Sequence, residues 1–119
     1  MTFDDSTPIY LQIAEQIRTA ILDGSLAEGD QVMSTTQYAT TYRINPATAA
    51  KAFAELVDEG VLVKRRGVGM FVTEGAADRL REARRSSFFT ERLAPVLREA
   101  VALGITAEDL TAHITQALG

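Results

Sequence analysis

The stretch STTQYATTYRINPATAAKAFAELVDEG, residues 34–60, decides the fold. Ser34 has Gln37 three residues after it, which is the spacing of a capping box, in which each side chain bonds the other residue's backbone N–H. This pair predicts the start of a short helix that ends near Tyr42. We expect the next two residues, 43 and 44, to form a tight turn.

A second helix start follows at Asn45. Asparagine is a strong N-cap, and Pro46 suits the first helical position because its missing N–H has no intrahelical partner there. The helix should run to Glu59 and end at Gly60, since glycine is common just past a helix end. Its period places Ala49, Ala52, Phe53 and Leu56 on an inner face, and Ala47, Thr48, Lys51 and Ala54 on the outer side. Two short helices with a tight turn between them are typical of a helix-turn-helix.

The flanking segments complete a small domain. Pro8 opens an earlier helix to about Asp23, with isoleucines at helical spacing. Two β-prone runs, 61–64 and 70–73, flank the glycine-containing segment 65–69, which predicts a hairpin. We therefore expect a mainly α-helical fold with a small β-hairpin, a winged helix-turn-helix. Its predicted core residues are Ile13, Ile17, Ile21, Tyr38, Phe53, Leu56 and Phe71.

The third helix and the hairpin carry side chains suited to nucleic acid. A helix fits the major groove of DNA, where its N-terminal half reads base edges while neighbouring elements hold phosphates. The run Lys64, Arg65 and Arg66 suits a wing that reaches the adjacent minor groove. The chain has a net charge of −4, but between Arg43 and Thr73 five basic residues meet only three acidic ones. We expect a local positive edge that binds double-stranded DNA.

The remaining residues, 76–119, are predicted to be a helical dimerisation tail behind a DNA-binding domain of residues 1–75. A long helix, kinked or split at Pro95, precedes a shorter one capped by Thr106 with Asp109 in the capping-box position. So short a segment rarely builds a core alone, so its apolar residues need a partner, most simply a second copy. The expected dimer contacts are Leu80, Phe88, Phe89, Leu93, Val96, Leu97, Val101, Leu110 and Ile114.

Composition limits the other function classes. A hydrophobic fraction of 46% and a charged fraction of 24% are typical of a folded protein. The sequence has no cysteine that would call for an oxidising compartment and no apolar run long enough to span a membrane. Residues 1–5 also lack the basic and then apolar pattern of a secretory signal. We therefore expect a cytoplasmic protein that does not enter membranes. No nucleophile, base and orienting group occur together, so we expect neither catalysis nor a cofactor. His113 is the single histidine and has no second ligand at metal-binding spacing, so we expect no metal site.

Three segments match a known pattern: PIYLQIAEQIRTAILDGSLAEGDQV at 8–32, INPATAAKAFAELVDEGVLV at 44–63, and RRGVGMFV at 65–72. With them the chain resembles the GntR family of bacterial repressors, and within it the small YtrA-type branch. The resemblance implies a homodimer that occupies an operator. It also implies the positions that contact DNA. Ser34 would bind a phosphate, and Thr36 stands where the family commonly has an arginine that contacts DNA. The major-groove positions would be Arg43, Asn45, Pro46, Ala47, Thr48 and Lys51, and the wing positions would be Arg65, Arg66, Gly67 and Gly69.

Some features leave two interpretations open. The same fold serves in protein-interaction adaptors without specific DNA binding, and salt-dependent retention on DNA would separate the two. The arginines at 79, 81, 84 and 85 either extend the DNA contact or solvate their helix, and interleaved acidic residues favour solvation. Phe88 and Phe89 either pack or form a ligand cage, and packing is the commoner role. The sequence identifies no operator or small-molecule effector, and repression is the expected mode of action.

Overall fold

The computed structural model describes Phe3 and residues 6–119. Residues 1, 2, 4 and 5 lie outside the described residues. The expectation that the chain has no secretory signal depends partly on them. The elements in chain order are α1 (Ile9–Leu22), β1 (Gln31–Val32), α2 (Thr35–Tyr42), α3 (Pro46–Asp58), β2 (Leu62–Arg65), β3 (Gly69–Val72), α4 (Ala76–Ser87), a π-helical segment (Phe88–Leu93), α5 (Ala94–Ala102) and α6 (Ala107–Leu118).

The chain divides into two compact units, which we call the N-terminal unit, residues 1–82, and the C-terminal unit, residues 83–119. The domain boundary predicted from the sequence, after Gly75, falls seven residues before this division. The difference arises at the start of α4, where Ala76 and Leu80 are buried in the core of the N-terminal unit. Leu80, predicted to be a dimer contact, is therefore a core residue with 5% of its surface exposed.

The helix starts of the helix-turn-helix are confirmed. The Gln37 backbone N–H donates to the Ser34 hydroxyl oxygen at 3.1 Å, and the Ser34 N–H donates to the Gln37 side chain at 3.2 Å. Asn45 caps α3 by accepting the Ala47 N–H at 2.7 Å, with Pro46 in the first turn. These local bonds satisfy backbone donors that a helix leaves unpaired at its start, so they place both helices from sequence alone.

The core of the N-terminal unit lies between α1, α2, α3 and the sheet. From α1 it takes Ile13, Ala14, Ile17 and Ile21; from α2, Tyr38 and Ala39; and from α3, Ala49, Ala52, Phe53 and Leu56. The ring of Tyr38 lies between those of Tyr42, at 4.6 Å, and Phe53, at 5.5 Å. The predicted inner face of α3 is thus confirmed, which leaves its other side turned away from the core.

The hairpin is part of a three-stranded antiparallel sheet with the order β1-β3-β2. The additional strand, Gln31–Val32, pairs with β3 through Val32 and Met70. Two residues are too few to show the alternation that marks a strand, so the sequence did not reveal it. The expectation that Phe71 is buried in the core was also wrong. Val72 is the buried residue, at 2% exposure, because neighbouring residues of a strand face opposite sides of the sheet.

The C-terminal unit is helical, as predicted, but it is not simply split at Pro95. Backbone bonds widen to a π-helix over Phe88–Leu93, directly before α5, in which Pro95 occupies the first turn. A proline cannot donate the bond that would continue the preceding turns, so a change of helical geometry at this place has a physical reason. α6 begins at Thr106, whose hydroxyl accepts the Asp109 N–H at 3.1 Å, and this capping box is confirmed.

Candidate nucleic-acid interface

The outer side of α3 is exposed along its first half. Asn45, Pro46, Ala47 and Lys51 are exposed and Thr48 is half-buried, while Ala49 and Ala52 on the other side are fully buried. Residues 46–54 contain no acidic side chain. On this side the helix therefore presents small side chains and one basic side chain, that of Lys51.

The turn between α2 and α3 depends on Arg43. Its φ of 54° and ψ of 50° are left-handed, a conformation that non-glycine residues adopt rarely. Its backbone N–H donates to the Ala39 carbonyl and closes α2, while its side chain remains exposed. The tight turn predicted at residues 43 and 44 is confirmed, and it places the exposed Arg43 three residues before the first residue of α3.

Lys51 is held by a residue that sequence reasoning did not select. Its ammonium lies 4.1 Å from the centre of the Tyr10 ring, in a cation–π contact between α3 and the first turn of α1. The sequence contained no signal for this pair, because the two residues are 41 positions apart and Tyr10 belongs to an ordinary helical pattern. Tyr10 thus borders the surface that α3 presents.

Acidic side chains gather at the other end of α3. Arg18 of α1 bonds Glu59 twice, with its Nε at 2.9 Å from Oε1, and its guanidinium lies 3.3 Å from Glu15 and 3.8 Å from Glu55. Hydrogen bonding to Glu59 is the largest cause of a raised pKa of Arg18. The carboxylates around this arginine leave the first half of α3 as its positive end.

The wing has two faces, and its basic residues are divided between them. In the register of the hairpin, Leu62 pairs with Val72 and Lys64 pairs with Met70. Leu62 and Val72 are buried against the core, and residues two positions apart in a strand face the same side. Lys64 therefore lies on the side of the sheet that covers the core. Lys64 lines a cleft of about 210 Å³ together with Ser34, Thr35, Thr36, Gly69 and Met70. This cleft joins the wing to the start of α2, so Lys64, which was predicted only as part of the basic run of the wing, shares a cleft with residues at the start of α2.

Arg65 lies on the opposite face of the wing. Its guanidinium carbon is 4.6 Å from the centre of the Phe71 ring, and it lines a separate cleft of about 370 Å³ with Val63 and Glu28. Arg66 follows in the exposed turn. Gly69, with a φ of 142°, leaves room for the Gln31 side chain, which donates to the Val68 carbonyl at 3.1 Å. Two arginines that the sequence treated as a pair therefore have different surroundings.

The residues predicted for dimerisation are mostly exposed in the C-terminal unit. Phe88, Phe89, Val96, Leu97, Val101 and Ile114 are between 39% and 78% exposed, while Leu93 and Leu110 are half-buried. The rings of Phe88 and Phe89 meet edge to face at 5.5 Å, which is packing geometry. Soluble proteins seldom expose so many large apolar side chains within 37 residues, so this surface is typical of an interface.

Among the described residues there is no side-chain cluster that could hold a metal ion and no helix that could span a membrane. No three side chains of His, Asp or Glu there are close enough together to hold a metal ion, and His113 is exposed on α6. None of the helices within Phe3 and 6–119 reaches the length and apolarity of a membrane span.

Known proteins match most of this chain in sequence and in structure. The family model "Bacterial regulatory proteins, gntR family" matches residues 9–72. The "HTH-type transcriptional repressor YtrA" of Bacillus subtilis is 35% identical over 105 residues, which are 88% of this chain and 80% of that protein. A "GntR family transcriptional regulator from Listeria monocytogenes" superimposes with a TM-score of 0.73 and 32% identity, over 96% of this chain and 98% of that one.

A further solved structure contains DNA. The AraR DNA-binding domain in complex with operator ORR3 has a TM-score of 0.55 and 25% identity, over 61% of this chain and 88% of that one. The matches to YtrA and to the Listeria monocytogenes regulator extend well beyond residue 72, so the likeness includes the helices after the wing.

Proposed function

The chain belongs to the gntR family of bacterial regulatory proteins, and on that premise we propose that it represses transcription by binding a pseudo-palindromic operator as a homodimer. Membership makes it a transcriptional regulator with a helix-turn-helix DNA-binding domain, and not an enzyme. The observation that carries the proposal is the exposed, acid-free first half of α3 beside a basic wing. Repression is inferred from the function that the name of YtrA states for that relative.

In the proposed complex, α3 enters the major groove. Asn45, Ala47, Thr48 and Lys51 would face base edges, while Arg43 lies beside them at the turn. The mostly short side chains at these positions let the helix approach closely but offer few hydrogen bonds to bases. We expect base readout to depend chiefly on Asn45, Thr48 and Lys51.

Phosphates on both sides of the groove would be held by neighbouring elements. Ser34 and Thr36 offer hydroxyls at the start of α2, and Lys64 adds an ammonium to the same cleft. Arg66, with the glycines at 67 and 69, would approach the minor groove from the turn of the wing. Phosphate contacts set the register of the protein on the duplex, so these residues position the base-reading helix.

Dimerisation would use the exposed apolar side chains of the C-terminal unit. Covering Phe88, Phe89, Val96, Leu97 and Val101 with the same surface of a second copy removes them from water, at about 25 cal/mol for each Å² buried. One recognition helix per chain then becomes two helices related by a two-fold axis. Half-site centres should accordingly lie about one helical turn, roughly 34 Å, apart.

Selection of bound fragments from genomic DNA tests this proposal. The expected result is a site with two inverted half-sites, bound by two chains per duplex, with affinity that falls as salt rises. Sedimentation of the free protein gives its oligomeric state independently. A selected site with one half only, occupied by one chain, contradicts the dimeric mode, and retention on DNA that ignores both salt and sequence contradicts operator binding altogether.

A further inference from the structure

Arg79, on α4, donates hydrogen bonds to protein backbone, unlike an arginine whose side chain only extends into solvent. Its Nε donates to the Gly60 carbonyl at 3.3 Å, and its Nη2 donates to the Glu74 carbonyl at 2.7 Å and to the Thr73 hydroxyl at 3.3 Å. The Thr73 hydroxyl itself donates to the Gly60 carbonyl at 2.6 Å. One guanidinium is thus tied to two backbone carbonyls and a side chain, although the residue is exposed.

The partners of Arg79 belong to the ends of two DNA-binding elements. Gly60 lies two residues after the end of α3, and Thr73 and Glu74 directly follow β3 of the wing. Gly75 makes space for the contact, because a Cβ there would lie 2.8 Å from an Arg79 terminal nitrogen. Only arginine has a planar fork of donors that can reach three acceptors at once, whereas a lysine offers a single point of charge.

The arginines nearby differ in their surroundings. Arg81, two positions along α4, pairs with Asp78 at 2.8 Å within one turn, and more than half of its side chain is exposed. Such exposed pairs contribute little. The network of Arg79 is therefore not a general property of the basic residues on α4.

We propose that Arg79 is a positioning residue that fixes the start of α4 against the recognition helix and the wing, and thereby sets the half-site spacing that the dimer accepts. The inference rests on the proposed function, because spacing has meaning only for two linked DNA-binding units. α4 begins in the N-terminal unit and the exposed apolar surface follows it in the chain. A firmly held start of α4 keeps the recognition helix and the wing in one position relative to α4, which should raise the effective concentration of the second half-site at one spacing only.

The test uses the full chain, its selected operator, versions with one base pair inserted or removed between half-sites, and a duplex with a single half-site. Each base pair moves a half-site by about 3.4 Å along and about 35° around the axis. Arg79→Gln should keep single-half-site affinity within about twofold of wild type, because no DNA-facing residue changes. It should lose about tenfold on the selected operator and show a smaller penalty for altered spacing.

Matched variants separate spacing from general damage. Arg81→Gln removes a neighbouring positive charge and should behave as wild type, whereas Arg79→Lys keeps the charge and should resemble Arg79→Gln. Thr73 still donates to Gly60 in these variants, so all should unfold cooperatively at similar denaturant concentrations. If wild type discriminates spacing and Arg79→Gln discriminates equally, the role of Arg79 is overturned while the dimeric function stands. If wild type has no spacing preference, both are overturned.

Discussion

Lys64 and Arg65 are neighbours in the chain, yet they have opposite surroundings. Lys64 shares a cleft with Ser34 and Thr36, whereas Arg65 lies over the ring of Phe71 on the other side of the sheet. A strand turns successive side chains to opposite faces, so a run of basic residues in a wing cannot act as one cluster. This division separates residues that the composition of the wing alone treats as equivalent.

We predict that Lys64→Ala weakens operator binding and Arg65→Ala changes it much less. A phosphate contact contributes about 0.9 to the slope of log affinity against log salt, so Lys64→Ala should make that slope shallower by about one. Titrations of both variants at several salt concentrations provide the measurement. An equal loss of slope for Arg65→Ala would show that both faces of the wing meet DNA.

Tyr10 should influence DNA binding through Lys51. Its ring restrains the ammonium 4.1 Å away, so Tyr10→Leu should weaken operator binding, by about two- to fivefold for an exposed cation–π contact of 0.5–1 kcal/mol. Tyr10→Phe keeps the ring and should retain affinity. The effect must vanish when Lys51 is already alanine, which a double-mutant cycle measures. Additive losses in that cycle would rule out the coupling.

At the level of elements, predictability followed local hydrogen bonding. Ser34, Asn45 and Thr106 are N-caps whose bonds are made within three residues, and all three helix starts were predicted correctly. Strand β1 depends instead on pairing with β3, some 40 residues away, and has no local signature. The π-helical segment likewise lacks one, although Pro95 marked the region as irregular.

The candidate site was predictable to the same extent and for the same reason. Residues 43–48 follow from the caps and the turn, so their exposure on one side of α3 was expected. The contributions of Tyr10 and Arg79 depend on contacts with Lys51 and Gly60, and that of Lys64 on a cleft shared with Ser34, in each case between elements distant in sequence. Side-chain pairing across elements is a property of the packed fold, and one sequence does not contain a pattern for it.

The free energy of unfolding should fall at alkaline pH, because Tyr38 of α2 is buried against α3. Burial of Tyr38 raises its pKa from 10.0 to about 12, with a smaller contribution from Tyr42. The folded state thus favours the neutral phenol, so this contribution to stability is complete below about pH 10 and is lost as pH rises towards 12. Denaturant unfolding between pH 9 and 12 should show the decline. Tyr38→Phe should have a flatter profile over this interval, and an unchanged profile would contradict the assignment.

For the whole molecule, the structure changes where a separable DNA-binding unit should end. Ala76 and Leu80 of α4 belong to the core of the N-terminal unit, and Leu80 is 5% exposed. A chain truncated after Ser87 should therefore fold, whereas truncation after Gly75 should cost roughly the 2–5 kcal/mol typical of losing a buried leucine. Urea unfolding of both truncated chains measures the difference.

Both truncated chains should also be monomers, because they lack most of the exposed apolar surface of the C-terminal unit. They should retain weak, salt-sensitive DNA binding and lose affinity for the complete operator by roughly 10²–10⁴, since the second half-site is no longer linked. Sedimentation measures the oligomeric state of each truncated chain, and titration with the operator measures the loss of affinity. A dimer formed by the chain that ends at Ser87 would move the dimer contact into the N-terminal unit.

The alanines of α3 have a consequence for evolution. Ala49 and Ala52 are fully buried, whereas Ala47, Ala50 and Ala54 are exposed. Replacing an exposed alanine costs at most about 0.7 kcal/mol of helix propensity for an ordinary residue and disturbs no packing. Single mutations at these three positions can therefore bring new side chains to the groove while the protein stays folded. After a gene duplication, the two copies would diverge to recognise separate operators without passing through an unfolded intermediate.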